Sequence, residues 1–158
     1  MGKTDWQESE EDMLIVVATD EEYILAQKTF PKETVIQTGV GPLNTIERLK
    51  DLPKETEITN FGFCGSNVLP IGTKVEIGEC ELLHENADFK SPTYTLANGT
   101  TKCYTSSDFV LKTNIKEPCV FDMELAYILA LGFTRVKSIK IVSDTLNYNE
   151  YKGVINYD

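Results

Sequence analysis

Apolar and polar positions alternate along this chain in two rhythms, one of strands and one of helices, in turn. Met13 to Ala18 is a continuous apolar run of the kind that forms a buried parallel strand. Acidic Asp20-Glu21-Glu22 then opens a helix that the pattern carries to about Phe30, where Pro31 stops it; acids suit the positive end of a helix dipole. Glu33 to Gln37 predicts a second strand. Pro42 suits the first turn of a helix running to Leu52, with Leu43, Ile46 and Leu49 at helical spacing and Pro53 ending it. Glu57 to Phe63 reads as a third strand, and Lys74 to Leu83 as two short alternating stretches around Gly78. Asn98-Gly99 between Tyr94-Thr95-Leu96 and Lys102-Cys103-Tyr104 predicts a hairpin. Cys119 to Phe121 is a short apolar strand, Met123 to Leu131 a helix ended by Gly132, and Ser138 to Val142 the last strand. Strands alternating with helices, and a β-rich middle, imply a single-domain α/β fold built on a mixed sheet.

Composition narrows the function. The 158 residues carry a formal charge of −10, which argues against a partner with a phosphate backbone, so no nucleic acid is expected. The apolar run at Met13 is too short to span a bilayer. The preceding Glu8-Ser9-Glu10-Glu11-Asp12 is the opposite of a signal peptide's basic start. Residues 1–12 read as a flexible acidic arm, residues 13–158 as the domain, and the chain as cytoplasmic, with no membrane partner. The cysteines at 64, 80, 103 and 119 form no C-x-x-C pair and have no histidine at ligand spacing, which predicts no metal and no cofactor. They read as buried structural thiols, with Cys64 set apart by its place in a glycine-rich stretch.

The candidate chemistry lies at strand ends. Glu124 stands where the strand ending at Phe121 turns into a helix, and Asp144 ends the strand through Val142. In an open α/β sheet ligands bind outside the carboxyl ends of the strands, so both acids are expected to face one crevice. Gln37-Thr38-Gly39-Val40-Gly41 and Asn60-Phe61-Gly62-Phe63-Cys64-Gly65 each read as a glycine-bearing turn after a strand, where backbone can approach a ligand closely. On the residues alone a plainer reading stands beside each of these. Asp144 could cap the next turn, and Glu124 could be a dipole-favoured acid. Glu22 could be one of three exposed helix-start acids, and Met123, Phe63 and Phe109 could fill core. His84 ends a strand with no nucleophile in evidence and is left out of the chemistry.

Taken in order, these pieces resemble the nucleoside phosphorylase and nucleosidase superfamily, most of all the 5′-methylthioadenosine/S-adenosylhomocysteine nucleosidases. Ala18-Thr19-Asp20-Glu21-Glu22 resembles the family's acidic first turn, Thr38-Gly39-Val40-Gly41 with Asn44 its second turn, and the 60–65 stretch its central glycine loop. Thr105-Ser106-Ser107-Asp108-Phe109 is similar to a stretch whose phenylalanine packs on the purine. Phe121-Asp122-Met123-Glu124 resembles the ribose-binding methionine-glutamate pair, and Val142-Ser143-Asp144 the pair whose acid protonates the purine. The resemblance spans about Met13 to Asn147 and implies a three-layer sandwich.

It further implies Asp144 as general acid, Glu22 positioning water, and Glu124 and Met123 on the ribose. Phe109, Phe63, Cys64, Gly65 and Ser143 complete the substrate site. The implied ligand is a purine nucleoside and the implied assembly a homodimer. Arg48 and Arg135 match no phosphate-binding position, so water is the expected nucleophile. A shortened relative that binds without catalysis and a phosphorylase are the alternatives. The chain is short for the family, with only Val110 to Pro118 where a further helix is expected and fourteen residues after Asp144.

Overall fold

The computed structural model describes residues 13–84 and 91–147. The expected acidic arm, and the segment after Asn147, lie outside them. The described chain runs β1 (Leu14–Val17), α1 (Asp20–Thr29), β2 (Thr34–Gln37), α2 (Pro42–Leu49), β3 (Glu57–Ser66), β4 (Lys74–Leu82), β5 (Tyr94–Thr95), β6 (Thr101–Thr105), β7 (Cys119–Asp122), α3 (Leu125–Ala130) and β8 (Arg135–Asp144).

One mixed sheet carries all eight strands. β2, β1, β3 and β8 are parallel neighbours in that order. β8 then pairs antiparallel with β4, β4 parallel with β6, and β6 parallel with β7. β7 returns to the end of β3 through Gly65 opposite Phe121. Five strands therefore close on themselves, which leaves few unpaired edges.

The helices make the outer layers, because each strand alternates its side chains between faces. Ile15, Val17 and Phe61 pack with Ala26 of α1, and Phe30 meets Phe61 edge-on with ring centres 5.3 Å apart. Val16 and Ile58 face the other way, against Leu49 of α2 and Ile128 of α3. A third cluster fills the closed ring, where Leu125 and Ala126 pack on Cys64, Ile77, Cys80, Cys103, Val120 and Val142. All four cysteines are buried free thiols.

Several expectations change. The Asn98-Gly99 signal does not make a hairpin, because β5 and β6 lie on opposite edges of β4. The connection between them crosses β4 backbone against backbone, with Leu96 N–H donating to Gly78 O (2.9 Å) and Thr100 N–H to Glu76 O (3.1 Å). A side chain at Gly99 would strike the Ile77 carbonyl and one at Gly78 the Gly99 carbonyl, so glycine serves a crossing rather than a turn. β4 is one strand with a register shift at that crossing. The 60–65 stretch is not a turn either but the body of β3, which runs on to Ser66. α2 ends at Leu49, α3 begins only at Leu125, and β8 begins at Arg135 rather than Ser138. No helix among the described residues is long and apolar enough to cross a membrane.

Candidate active site

Because β1, β3 and β8 are parallel, their carboxyl ends open on one side. The antiparallel meeting of β7 with β3 brings Asp122, Met123 and Glu124 to the same place. A pocket there is lined from the β1–α1 turn by Ala18 and Thr19, from α1 by Glu22, and from β3 by Phe63, Cys64 and Gly65. Val40, the 108–110 segment, the 121–124 turn and Ser143, Asp144 and Leu146 complete its wall. All nine residues singled out in the sequence (Glu22, Phe63, Cys64, Gly65, Phe109, Met123, Glu124, Ser143 and Asp144) line it.

Glu22 is buried, unlike Asp20 beside it, which stays exposed and accepts from Gln37 Nε2 (2.8 Å). Glu22 closes a capping box, its Oε1 accepting from Thr19 N–H (3.2 Å) while its own N–H donates to Thr19 Oγ1 (3.2 Å). Oε1 also accepts from Ala18 N–H (2.8 Å), and Oε2 accepts from Phe63 N–H (2.9 Å). Burial nevertheless pushes its pKa up, against the Lys140 charge and those N–H donors. Gly62 makes room for it, since a Cβ there would lie 2.6 Å from Oε2. With two acceptor sites on each oxygen, Oε2 retains capacity for one more donor such as water.

Glu124 sits just ahead of α3, buried, with Gly41 N–H donating to its Oε2 (3.2 Å). Burial, and next the Asp122 charge, raise its pKa to about 8, with Lys140 opposing. The α2 entry thus serves the site through its backbone. Gly41 holds φ at +92°, a conformation glycine adopts without strain.

Asp144 ends β8 in full burial, where Ser143 Oγ donates to Oδ1 (3.1 Å) and Leu146 N–H to Oδ2 (2.9 Å). A register shift between Cys64 and Gly65 sets Gly65 opposite Asp144, and a Cβ at Gly65 would fall 2.8 Å from Oδ2. Leu146 takes φ of +68°, unusual for a residue with a side chain and of a kind that collects at functional sites.

The sequence reading passed over the buried pair that underlies these acids. Lys140 Nζ lies 3.1 Å from Asp122 Oδ2, and both side chains are inaccessible. Asp122 also accepts from Thr105 Oγ1 (2.5 Å), Cys103 Sγ (3.4 Å) and the Leu125 N–H (2.8 Å). A lysine in the middle of an apolar strand was the available signal, since lysine is almost never buried unless paired. Phe121 was missed as well; it lines the pocket with Tyr104 stacked behind it at 5.9 Å. Cys64 is driven upward in pKa by burial and is a wall residue, not a nucleophile. Among the described residues no group of three or more His, Cys, Asp or Glu side chains is placed to hold a metal ion.

The architecture has solved counterparts. A futalosine hydrolase mutant of Helicobacter pylori superposes with a TM-score of 0.77, covering 90% of this chain and 91% of that one at 10% identity. A 5′-methylthioadenosine/S-adenosylhomocysteine nucleosidase from Colwellia psychrerythraea, solved with adenine, gives 0.76 over 90% and 87% at 13% identity. An S-adenosylhomocysteine nucleosidase from Streptococcus pyogenes, solved with 5-methylthiotubericidin, gives 0.70 over 90% and 89% at 17% identity. This is the nucleosidase fold. No family model matches the chain, and no curated protein matches it. In the nucleosidase fold as this chain builds it, the sheet is flanked by α1 on one face and by α2 and α3 on the other. Residues 106–118 run from β6 to β7 without a helix.

Proposed function

We propose that this protein is a purine nucleoside N-ribosyl hydrolase, acting on an adenosine-type nucleoside of the methylthioadenosine or adenosylhomocysteine class. The observation that carries this reading is the convergence of Glu22, Glu124 and Asp144, from three elements, on one pocket with aromatic walls. Cleaving an N-glycosidic bond calls for a proton on the leaving base, support for a cationic sugar and a nucleophile on its far face. Asp144, oriented by Ser143, is assigned the proton for the purine ring nitrogen. Glu124 takes the ribose hydroxyls, Met123 packs on the sugar, and Phe109 and Phe63 hold the base by ring contact. Glu22 orients the attacking water with the spare acceptor capacity of Oε2. Cys64 and Gly65 form the floor.

Water rather than phosphate is the nucleophile in this reading. Among the described residues neither arginine lines the pocket, and Arg135 instead pairs with Glu57 at the other end of β3 and β8 (3.1 Å). The enzyme is proposed to work in the cytoplasm as a homodimer. Release of free adenine from 5′-methylthioadenosine in phosphate-free buffer tests the reading. 5-Methylthioribose 1-phosphate formed only when phosphate is present would replace it with a phosphorylase, and binding without any cleavage would replace it with a non-catalytic relative.

A further inference from the structure

Glu124 holds the N-cap position of α3, yet its side chain makes no capping hydrogen bond. An N-cap side chain ordinarily accepts from the backbone N–H two or three residues on. Thr105 supplies that acceptor instead, its Oγ1 taking the Ala126 N–H at 3.0 Å. Asp122 Oδ2 takes the two N–H groups before it, those of Leu125 (2.8 Å) and Glu124 (3.4 Å). The Tyr127 N–H returns to the Glu124 carbonyl (3.1 Å), so the first turn of α3 is satisfied without the Glu124 carboxylate. That carboxylate instead lines the pocket, with Gly41 N–H on its Oε2 (3.2 Å).

The two substitute caps are tied together. β6 and β7 run parallel with Thr105 opposite Asp122, and the Thr105 hydroxyl donates to Oδ1 (2.5 Å). With its one proton committed there, the hydroxyl presents an acceptor to the Ala126 N–H. Thr105 is fully buried and is not part of the pocket's wall, so it acts through Glu124 and not on a ligand. Without that hydroxyl the Ala126 N–H, itself buried, is left unpaired, and an unpaired buried donor is costly. The acceptor carried by the same turn is the Glu124 carboxylate. We propose that Thr105, with Asp122, is a positioning residue for ribose recognition: it takes over the capping of α3 and so frees Glu124 for the ligand's hydroxyls. The identity of the ligand rests on the nucleosidase reading, whereas the placement of Glu124 stands apart from it.

Thr105→Val and Thr105→Ala remove the hydroxyl, the first keeping the side chain's shape, and Thr105→Ser retains it. Two ligands read the effect: the 7-deaza analogue of 5′-methylthioadenosine, which offers no ring nitrogen to the assigned acid, and the same compound without its 2′-hydroxyl. Calorimetric titration of the full chain is expected to show the wild type and Thr105→Ser preferring the 2′-hydroxy ligand by at least about tenfold. Thr105→Val and Thr105→Ala should lose most of that preference while binding the 2′-deoxy ligand within about threefold of the wild type. Crystal structures of the ligand-free proteins should show Glu124 Oε2 at Gly41 N–H in the wild type and Thr105→Ser, and turned to Ala126 N–H in the other two. An equal loss on both ligands overturns the proposal, since that is a structural effect alone, and so does an unchanged preference or an unmoved Glu124. Failure of the wild type to bind either ligand removes the nucleosidase reading and the ribose role with it, and the position of Glu124 in Thr105→Val then decides the capping by itself.

Discussion

Lys140 Nζ and Asp122 Oδ2 stand 3.1 Å apart with neither side chain open to solvent, directly beneath the candidate acids. Burial disfavours the charge on Asp122, yet the Lys140 ammonium, the Thr105 hydroxyl and the Leu125 N–H together hold its carboxyl below the ordinary range. Burial equally opposes the charge on Lys140, and Asp122 and then Glu124 hold it above the usual lysine range. Removing one partner of such a pair leaves a buried charge uncompensated, which costs about 3–5 kcal/mol. Lys140→Met is therefore expected to lower stability at pH 7 by that order, and Lys140→Met with Asp122→Leu to recover much of it, as read by urea denaturation. The depressed Asp122 pKa adds stability present above the unfolded carboxylate value, lost as pH falls through the folded one. The raised Lys140 pKa adds stability present below the unfolded lysine value, lost as pH rises through the folded one. The pair's contribution thus spans the range between about pH 4 and pH 10.

Glu124 should confer a rise in kcat/KM as pH increases toward 8. Its carboxyl, held to about 8 in the free protein first by burial and then by Asp122, must ionise to accept from two ribose hydroxyls. Stability moves oppositely, because the folded state keeps this proton between about pH 4 and pH 8 while the unfolded chain releases it. Glu124→Gln should abolish the rise and weaken binding and turnover together, and a 2′-deoxy substrate should feel that change less. A rising limb that persists in Glu124→Gln, or equal losses on both substrates, would remove Glu124 from the ribose.

Gly62→Ala offers a test of Glu22 that leaves Glu22 in place. The added methyl would sit 2.6 Å from Oε2 and displace the carboxylate from Phe63 N–H. Turnover is expected to fall at least about tenfold, with the circular dichroism of the fold retained and nucleoside binding changed far less. Unaltered turnover would show that the carboxylate's placement does not matter.

Val40 just ahead of α2 and Leu43 (82% exposed) and Ile46 on α2 are open to solvent, and Leu111 stands exposed in the 106–118 segment. Apolar surface of this kind commonly marks an interface, and two-fold pairing is the commonest way to cover it. Light scattering over a concentration series is expected to give twice the 17.8 kDa chain mass, and Leu43→Glu to give a monomer. A wild-type mass of one chain at tens of micromolar would end this account.

How much of this was legible depended on whether the signal was local. The apolar runs of β1 and β8 and the acidic opening of α1 were readable because burial on both faces, and the helix dipole, act on contiguous residues. The β5–β6 hairpin misled because Asn-Gly reports only on a turn. What placed the strands apart was β4, a partner distant in sequence that occupies the space between them. Glu22 looked like its neighbours Asp20 and Glu21, although the Thr19-x-x-Glu22 capping-box spacing distinguishes it and is the interaction that turns it inward. Asp122 and Lys140 carry no motif between them. Their pairing arises because β7 and β8 reach the same interior from different parts of the ring, a relation that spacing along the chain does not encode.

The most direct test of the central claim is free adenine released from 5′-methylthioadenosine, measured with and without phosphate for the wild type and Asp144→Asn. The account predicts release by the wild type at the same rate in both buffers, with 5-methylthioribose and not its 1-phosphate as co-product. It predicts a loss of about 10²–10⁴-fold in Asp144→Asn, which keeps the shape of the side chain but has no proton to give, while binding stays within about tenfold. Turnover in Asp144→Asn equal to that of the wild type would contradict the account.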